Sequence, residues 1–171
     1  MKLRTILIMM VVVATSTLIA SAAPSTNDEA AFAQIKSLAG DWESKDAKGT
    51  SHVHYEVVSG GSAVLERFEN DQLGAANAMV TVYYLDGGHL MLTHYCMAKN
   101  QPRMQAEAFN HANATLRFHF VDATGLTGPE EGHMHNATFH FIDQNHFATD
   151  WQFFEGGKPK MTESVQYTRQ H

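Results

Sequence analysis

From residue 40 to the C-terminus, apolar and polar positions alternate in short runs, each closed by residues that favour turns. Successive side chains of a strand point to opposite faces, so a period of two marks half-buried β-strands. The runs cover residues 41–44, 51–58, 63–69, 79–85, 89–97, 104–110, 115–121, 133–142, 146–154 and 160–169. Between them stand Ser59-Gly60-Gly61, Asp86-Gly87-Gly88, Asp143-Gln144-Asn145 and Glu155-Gly156-Gly157, whose residues tolerate positive φ and suit hairpins. Residues 27–39 read differently. Thr26 or Asn27 caps a helix there, Asp28 and Glu29 occupy its first turn, Phe32, Ile35 and Leu38 share one face, and Gly40 ends it. About ten short strands after one short helix predict an all-β domain, a closed antiparallel barrel or a sandwich, with no internal linker.

The same alternation sorts the polar residues. Val53, Tyr55 and Val57 share a face, which leaves His52, His54 and Glu56 on the other. His119 points away from Leu116, Phe118 and Phe120. His94 and Cys96, in contrast, share parity with Leu90 and Leu92, and Glu66 shares it with Val64 and Phe68. His133 and His135 share parity with Ala137, Phe139 and Phe141 if their strand runs unbroken, whereas a bulge between residues 133 and 137 would reverse them. Two His-x-(His/Cys) pairs are therefore expected on the inner face. Asn100, Gln101 and Arg103 follow the first pair in a segment that reads as a loop stiffened by Pro102.

The first 22 residues change the expected compartment. Lys2 and Arg4 precede an apolar stretch, and Ala20-Ser21-Ala22 fits a cleavage site, so residues 1–22 read as a secretory signal and 23–171 as one domain. The expected destination is the periplasm or the extracellular space, with no membrane attachment after cleavage. Without Lys2 and Arg4, 10 basic residues face 18 acidic ones, a net charge of −8, which argues against nucleic acid as a partner. Cys96 is the only cysteine, so no internal disulfide forms.

Gly40-Asp41-Trp42, after a short helix and at the head of the first strand, resembles the Gly-x-Trp motif of the calycin barrels. That group includes lipocalins, fatty-acid-binding proteins and nitrobindin-like haem proteins. The resemblance implies an antiparallel calycin-like barrel in which Trp42 closes one end and Arg169, from the last strand, packs across it. Residues 57–63, Met79-Val80-Thr81-Val82-Tyr83, residues 92–96, residues 100–104 and Gly132-His133-Met134-His135 are similar to a family of uncharacterised exported bacterial proteins of calycin-like type. That likeness lends no activity. The chain departs from the haem-binding relatives in lacking a clear proximal-histidine motif near its C-terminal strand.

These readings converge on a monomeric or homodimeric barrel that binds a small molecule inside. The expected polar end of the cavity is His94, Cys96, Asn100, Gln101, Arg103, His133, His135 and Glu66, with Phe118, Phe120, Phe139, Phe141 and Trp151 as apolar wall. For Glu66, facing Arg103 or a histidine, a structural ion pair is expected. His94, Cys96, His133 and His135 form a candidate metal set for zinc or copper if their strands meet, and haem is a further alternative. An enzyme using Cys96 or a histidine is also open, although the chain has no Ser-His-Asp motif, phosphate-binding glycine loop or His-Glu-x-x-His helix. A barrel whose polar groups merely satisfy one another is the last alternative.

Overall fold

A computed structural model describes residues 26–128 and 130–171, so the signal-like segment lies outside the described residues. A helix, α1 (Thr26–Lys36), precedes ten strands: β1 (Gly40–Asp46), β2 (Gly49–Val58), β3 (Ala63–Asn70), β4 (Met79–Asp86), β5 (His89–Tyr95), β6 (Gln101–Ala106), β7 (Thr115–Thr124), β8 (His133–Phe141), β9 (His146–Glu155) and β10 (Lys158–Arg169). Each strand pairs antiparallel with its sequence neighbours, and β1 pairs with β10 to close the barrel. No helix among the described residues is long and apolar enough to cross a membrane.

The interior is built from the alternation. Val64, Tyr83, Leu90, Leu92, Met104, Leu116, Phe118, Phe139 and Phe147 are essentially inaccessible to solvent. Phe139 and Phe147 stack with an interplanar angle of 8°, and Tyr83 meets both Phe118 and Phe139 edge-on. The helix buries Ala31, Phe32 and Ile35, and Leu38 in the turn after it is buried as well, along the face that the spacing assigns to the core. It is tied to the β4–β5 hairpin by the Leu90 amide, which donates to Asp28 Oδ1 at 3.2 Å.

Trp42 and Arg169 form the closure. The Trp42 indole N–H donates to Leu38 O at 2.7 Å, joining the strand to the turn after the helix. Arg169 lies 4.0 Å above the Trp42 ring and donates to Ser37 O, Ala39 O and Gln144 O at 2.7–3.0 Å. Gly40 has a φ of 121°, and a Cβ there would stand 3.0 Å from the Arg169 guanidinium, so the motif's glycine makes room for its arginine.

Two departures from regularity matter for the interior. Strand β6 begins at Gln101, not near Met104, so Gln101, Pro102 and Arg103 belong to a strand and not to a loop. The β5–β6 ladder stops at the Thr93–Arg103 pair, next to Pro102, which has no N–H to extend it, while Pro102 keeps its place opposite Ala123 of β7. In β8 the register with β9 shifts between Met134 and Asn136, a bulge within the stretch where a reversal of facing was foreseen.

Arg169→Ala is expected to destabilise the chain by about 2–3 kcal/mol, since it strips charge-assisted bonds from three carbonyls as well as the contact with Trp42. Arg169→Lys should recover only part of this, because an ammonium lacks the planar fork. Denaturant unfolding of both variants measures the effect; a loss below about 0.5 kcal/mol for Arg169→Ala would contradict the clamp.

Candidate functional site

Strands alternate in direction, so the ends of β3, β5 and β9 and the starts of β4, β8 and β10 meet at the barrel end away from α1. There the large rings stop and a cavity of about 60 Å³ remains, lined by Glu66, Phe68, Met79, His94, Met134 and Trp151 among others. Tyr55, Thr149 and Tyr167 add hydroxyl-bearing side chains to its wall.

Glu66 is the buried carboxylate of this region, 5% exposed. Tyr83 donates a short hydrogen bond to its Oε2, and Thr81 donates to Oε1 at 3.4 Å. Burial pushes the Glu66 carboxyl above its ordinary value, and the hydrogen bonds from Tyr83, Tyr55 and Thr81 pull the other way. Burial, with the Glu66 charge adding to it, raises Tyr55, Tyr83 and Tyr167 far above the ordinary phenol value, so all three remain protonated donors. The expected ion pair does not form. Glu66 is held by hydroxyls, while Arg103 lies on the outer surface and grips Asp122, donating from Nε at 2.7 Å.

His94 is the second polar group of the cavity wall, 4% exposed, with its ring 5.0 Å from that of Trp151. Its Nδ1 lies 3.0 Å from Thr81 Oγ1. Because the Thr81 hydroxyl donates to Glu66, His94 Nδ1–H is the donor to Thr81 in this arrangement, and Nε2 carries the lone pair. Nε2 is buried and has no hydrogen-bond partner. Burial lowers the His94 pKa from 6.5 to about 4. The imidazole is therefore neutral at physiological pH and offers an acceptor nitrogen to whatever enters.

The structure divides the rest of the set that the sequence groups. Strand β5 ends at Tyr95, which takes Cys96 out of the strand pattern and into a tight turn where its amide bonds to Asn100 O at 3.1 Å. Burial raises the half-buried thiol, opposed by the Ala98 and Met97 amides, which is the reverse of what an activated nucleophile needs. Asn100 is fully buried and donates to Gly132 O at 2.9 Å, pinning this turn to the chain before β8. Gln101 accepts a hydrogen bond from Thr124. His133 and His135 form a separate aromatic cluster: His135 is stacked between Phe120 and Phe154, with ring centroids 4.7 and 3.9 Å away. His133 Nδ1 donates to Glu131 O at 2.7 Å, so its Nε2 accepts from His135 Nδ1 at 3.1 Å. Burial, then the neighbouring His133, lowers the His135 pKa. Beside the β8 bulge the cavity is lined by Met134 and not by this histidine pair, of which His133 is nonetheless buried, 5% exposed. Among the described residues no three His, Cys, Asp or Glu side chains gather as a metal site would require, so His94, Cys96, His133 and His135 do not form one.

Sequence reasoning passed over Tyr55, Thr149, Tyr167, Met79 and Met134 as cavity groups, and Thr81 and Tyr83 as the hydroxyl partners of Glu66. Strand parity carried the signal for the hydroxyls, since Thr81 and Tyr83 alternate on β4, but tyrosines on an apolar face read as wall and not as donors. Compared with known proteins, the chain matches no family model and no curated sequence. The calycin-like resemblance therefore stands on architecture, with which the closed ten-stranded antiparallel barrel is consistent.

His94 gives the interior a defined pH response. Its folded pKa lies below its unfolded one, so its contribution to stability is complete above about pH 6.5 and is lost as pH falls towards 4. The size is about 3 kcal/mol, at 1.36 kcal/mol per unit. His94→Gln should flatten that part of the acid limb, measured as urea-unfolding free energies at pH 7 and pH 4. An equal loss in variant and wild type would show that the imidazole is not buried neutral.

Proposed function

We propose that the chain is an exported barrel that binds one very small ligand in the internal cavity, anchored on His94 Nε2 and balanced by Glu66. The supporting observation is the His94 nitrogen itself, which is buried, neutral and without a protein partner at the wall of the cavity. A buried acceptor left unsatisfied costs on the order of 1–3 kcal/mol, and a hydrogen bond or coordinate bond to a ligand recovers it. The available volume of about 60 Å³ sets the ligand's size. A space of this size suits an ion or a molecule of a few atoms better than a fatty acid, retinoid or haem. Cys96, Asn100, Gln101 and Arg103 belong in this reading to the frame around the site; Arg103 in particular is committed to Asp122.

Native mass spectrometry of untagged protein, purified without chelator or metal column, tests the proposal together with a thermal-shift panel of small molecules and metal ions. A stoichiometric added mass, or a ligand-dependent rise in thermal midpoint, is expected in the wild type and should vanish in His94→Ala. A bare mass with no stabilising ligand in the panel would overturn it.

A further inference from the structure

The residues that line the cavity include two thioethers. Met79 opens β4 and Met134 lies near the start of β8, and both line the cavity with His94 on β5 and Trp151 on β9. β4 and β8 stand four places apart in a ring of ten strands, so the two methionines approach from well-separated parts of the wall. We propose that the occupant is a single soft monovalent metal ion of the copper(I) type, bound by His94 Nε2 and the sulfurs of Met79 and Met134 and capped by the Trp151 indole. This assignment rests on the small-ligand reading above and names its chemical class.

Four observations point the same way. Thioether sulfur is a soft donor that selects copper(I), whereas zinc, calcium and magnesium prefer thiolate, imidazole or oxygen. The Glu66–Thr81–His94 chain holds the imidazole with its Nδ1 proton engaged and its Nε2 lone pair buried without a partner, the arrangement by which outer carboxylates orient a metal-binding histidine. The Trp151 ring sits 5.0 Å from the His94 ring, where its π face can meet a desolvated cation. The charge also suits a cation: no lysine or arginine is among the described residues lining the cavity, while Glu66 is; Glu163, also in the lining, is paired with Lys48 at 2.8 Å. Methionine is a common filler of irregular core space, and that role alone explains neither the partnerless nitrogen nor the carboxylate beside it.

The test is anaerobic titration of the mature chain with copper(I) held by a competing chelator, with zinc(II) as control. One copper(I) per chain is expected, with quenching of indole fluorescence that disappears in Trp151→Phe, and with no zinc taken up in the cavity. Met79→Leu and Met134→Leu should each weaken copper(I) at least tenfold. Their metal-free thermal midpoints should stay close to wild type, because the exchange conserves volume. His94→Gln should remove the site. Absence of copper(I) uptake, or uptake unaffected by either methionine exchange, would overturn the inference, the latter by assigning the ion to surface histidines. If copper(I) fails but a non-metal mass is retained and is lost in His94→Ala, the metal falls and the small-ligand reading stands. If neither copper(I) nor any other ligand is held, both fall.

Discussion

The closure of β1 onto β10 is the constraint on which the rest of this molecule depends. A sheet of ten strands left open would present two unpaired edges and a wide apolar face to water. Only two residue pairs join these strands, Trp42 with Arg169 and Glu43 with Thr168, whereas β10 and β9 share a long ladder. Arg169 offsets the shortness of the seam. It reaches across to the carbonyls of Ser37 and Ala39, covers Trp42, and holds the β8–β9 turn through Gln144. One side chain thus joins the last strand, the first strand, the helix exit and a hairpin turn at the end that α1 covers.

With that end closed and the middle filled by stacked rings, polar chemistry is confined to the other end. Glu66 is costly to bury, and three neighbouring side chains lower that cost: Tyr83 and Tyr55, locked as donors by their raised pKa, and Thr81, which passes the connection on to His94. The network is nearly self-satisfied. Its single unmet valence among these groups is His94 Nε2, and that atom belongs to the cavity wall. The network thus ends on a lone pair at the wall of a small cavity.

The ten strands and the helix face were legible in the sequence because each depends on local signals, alternation and turn residues; the Trp42–Arg169 contact was legible through the Gly-x-Trp resemblance, which pairs the first strand with the last. The start of β6 was not, since Pro102 reads as a strand breaker until the ladder beside it is known to end at Thr93. In the site, parity correctly turned Glu66 and His94 inward. It failed for Cys96 because the strand stops one residue earlier, and for Arg103 because a residue assigned to a loop was never given a face. Strand ends and bulges are settled by what the neighbouring strand offers, and a single strand's sequence does not contain that information.

The β8 bulge shows how much chemistry one such register step controls. In an unbroken strand His133 and His135 would share the face of Ala137 and Phe139, and the cavity would hold several imidazoles, a set of the kind that suits zinc. Beside the bulge His135 stacks between Phe120 and Phe154 with His133 next to it, and Met134 lines the cavity together with His94. The interior donor set changes from nitrogen-rich to one nitrogen with two thioethers, softer and less charged in its demands. The selectivity proposed for the cavity is thus a consequence of backbone register as much as of residue type. The same residues on a regular strand would make a different site.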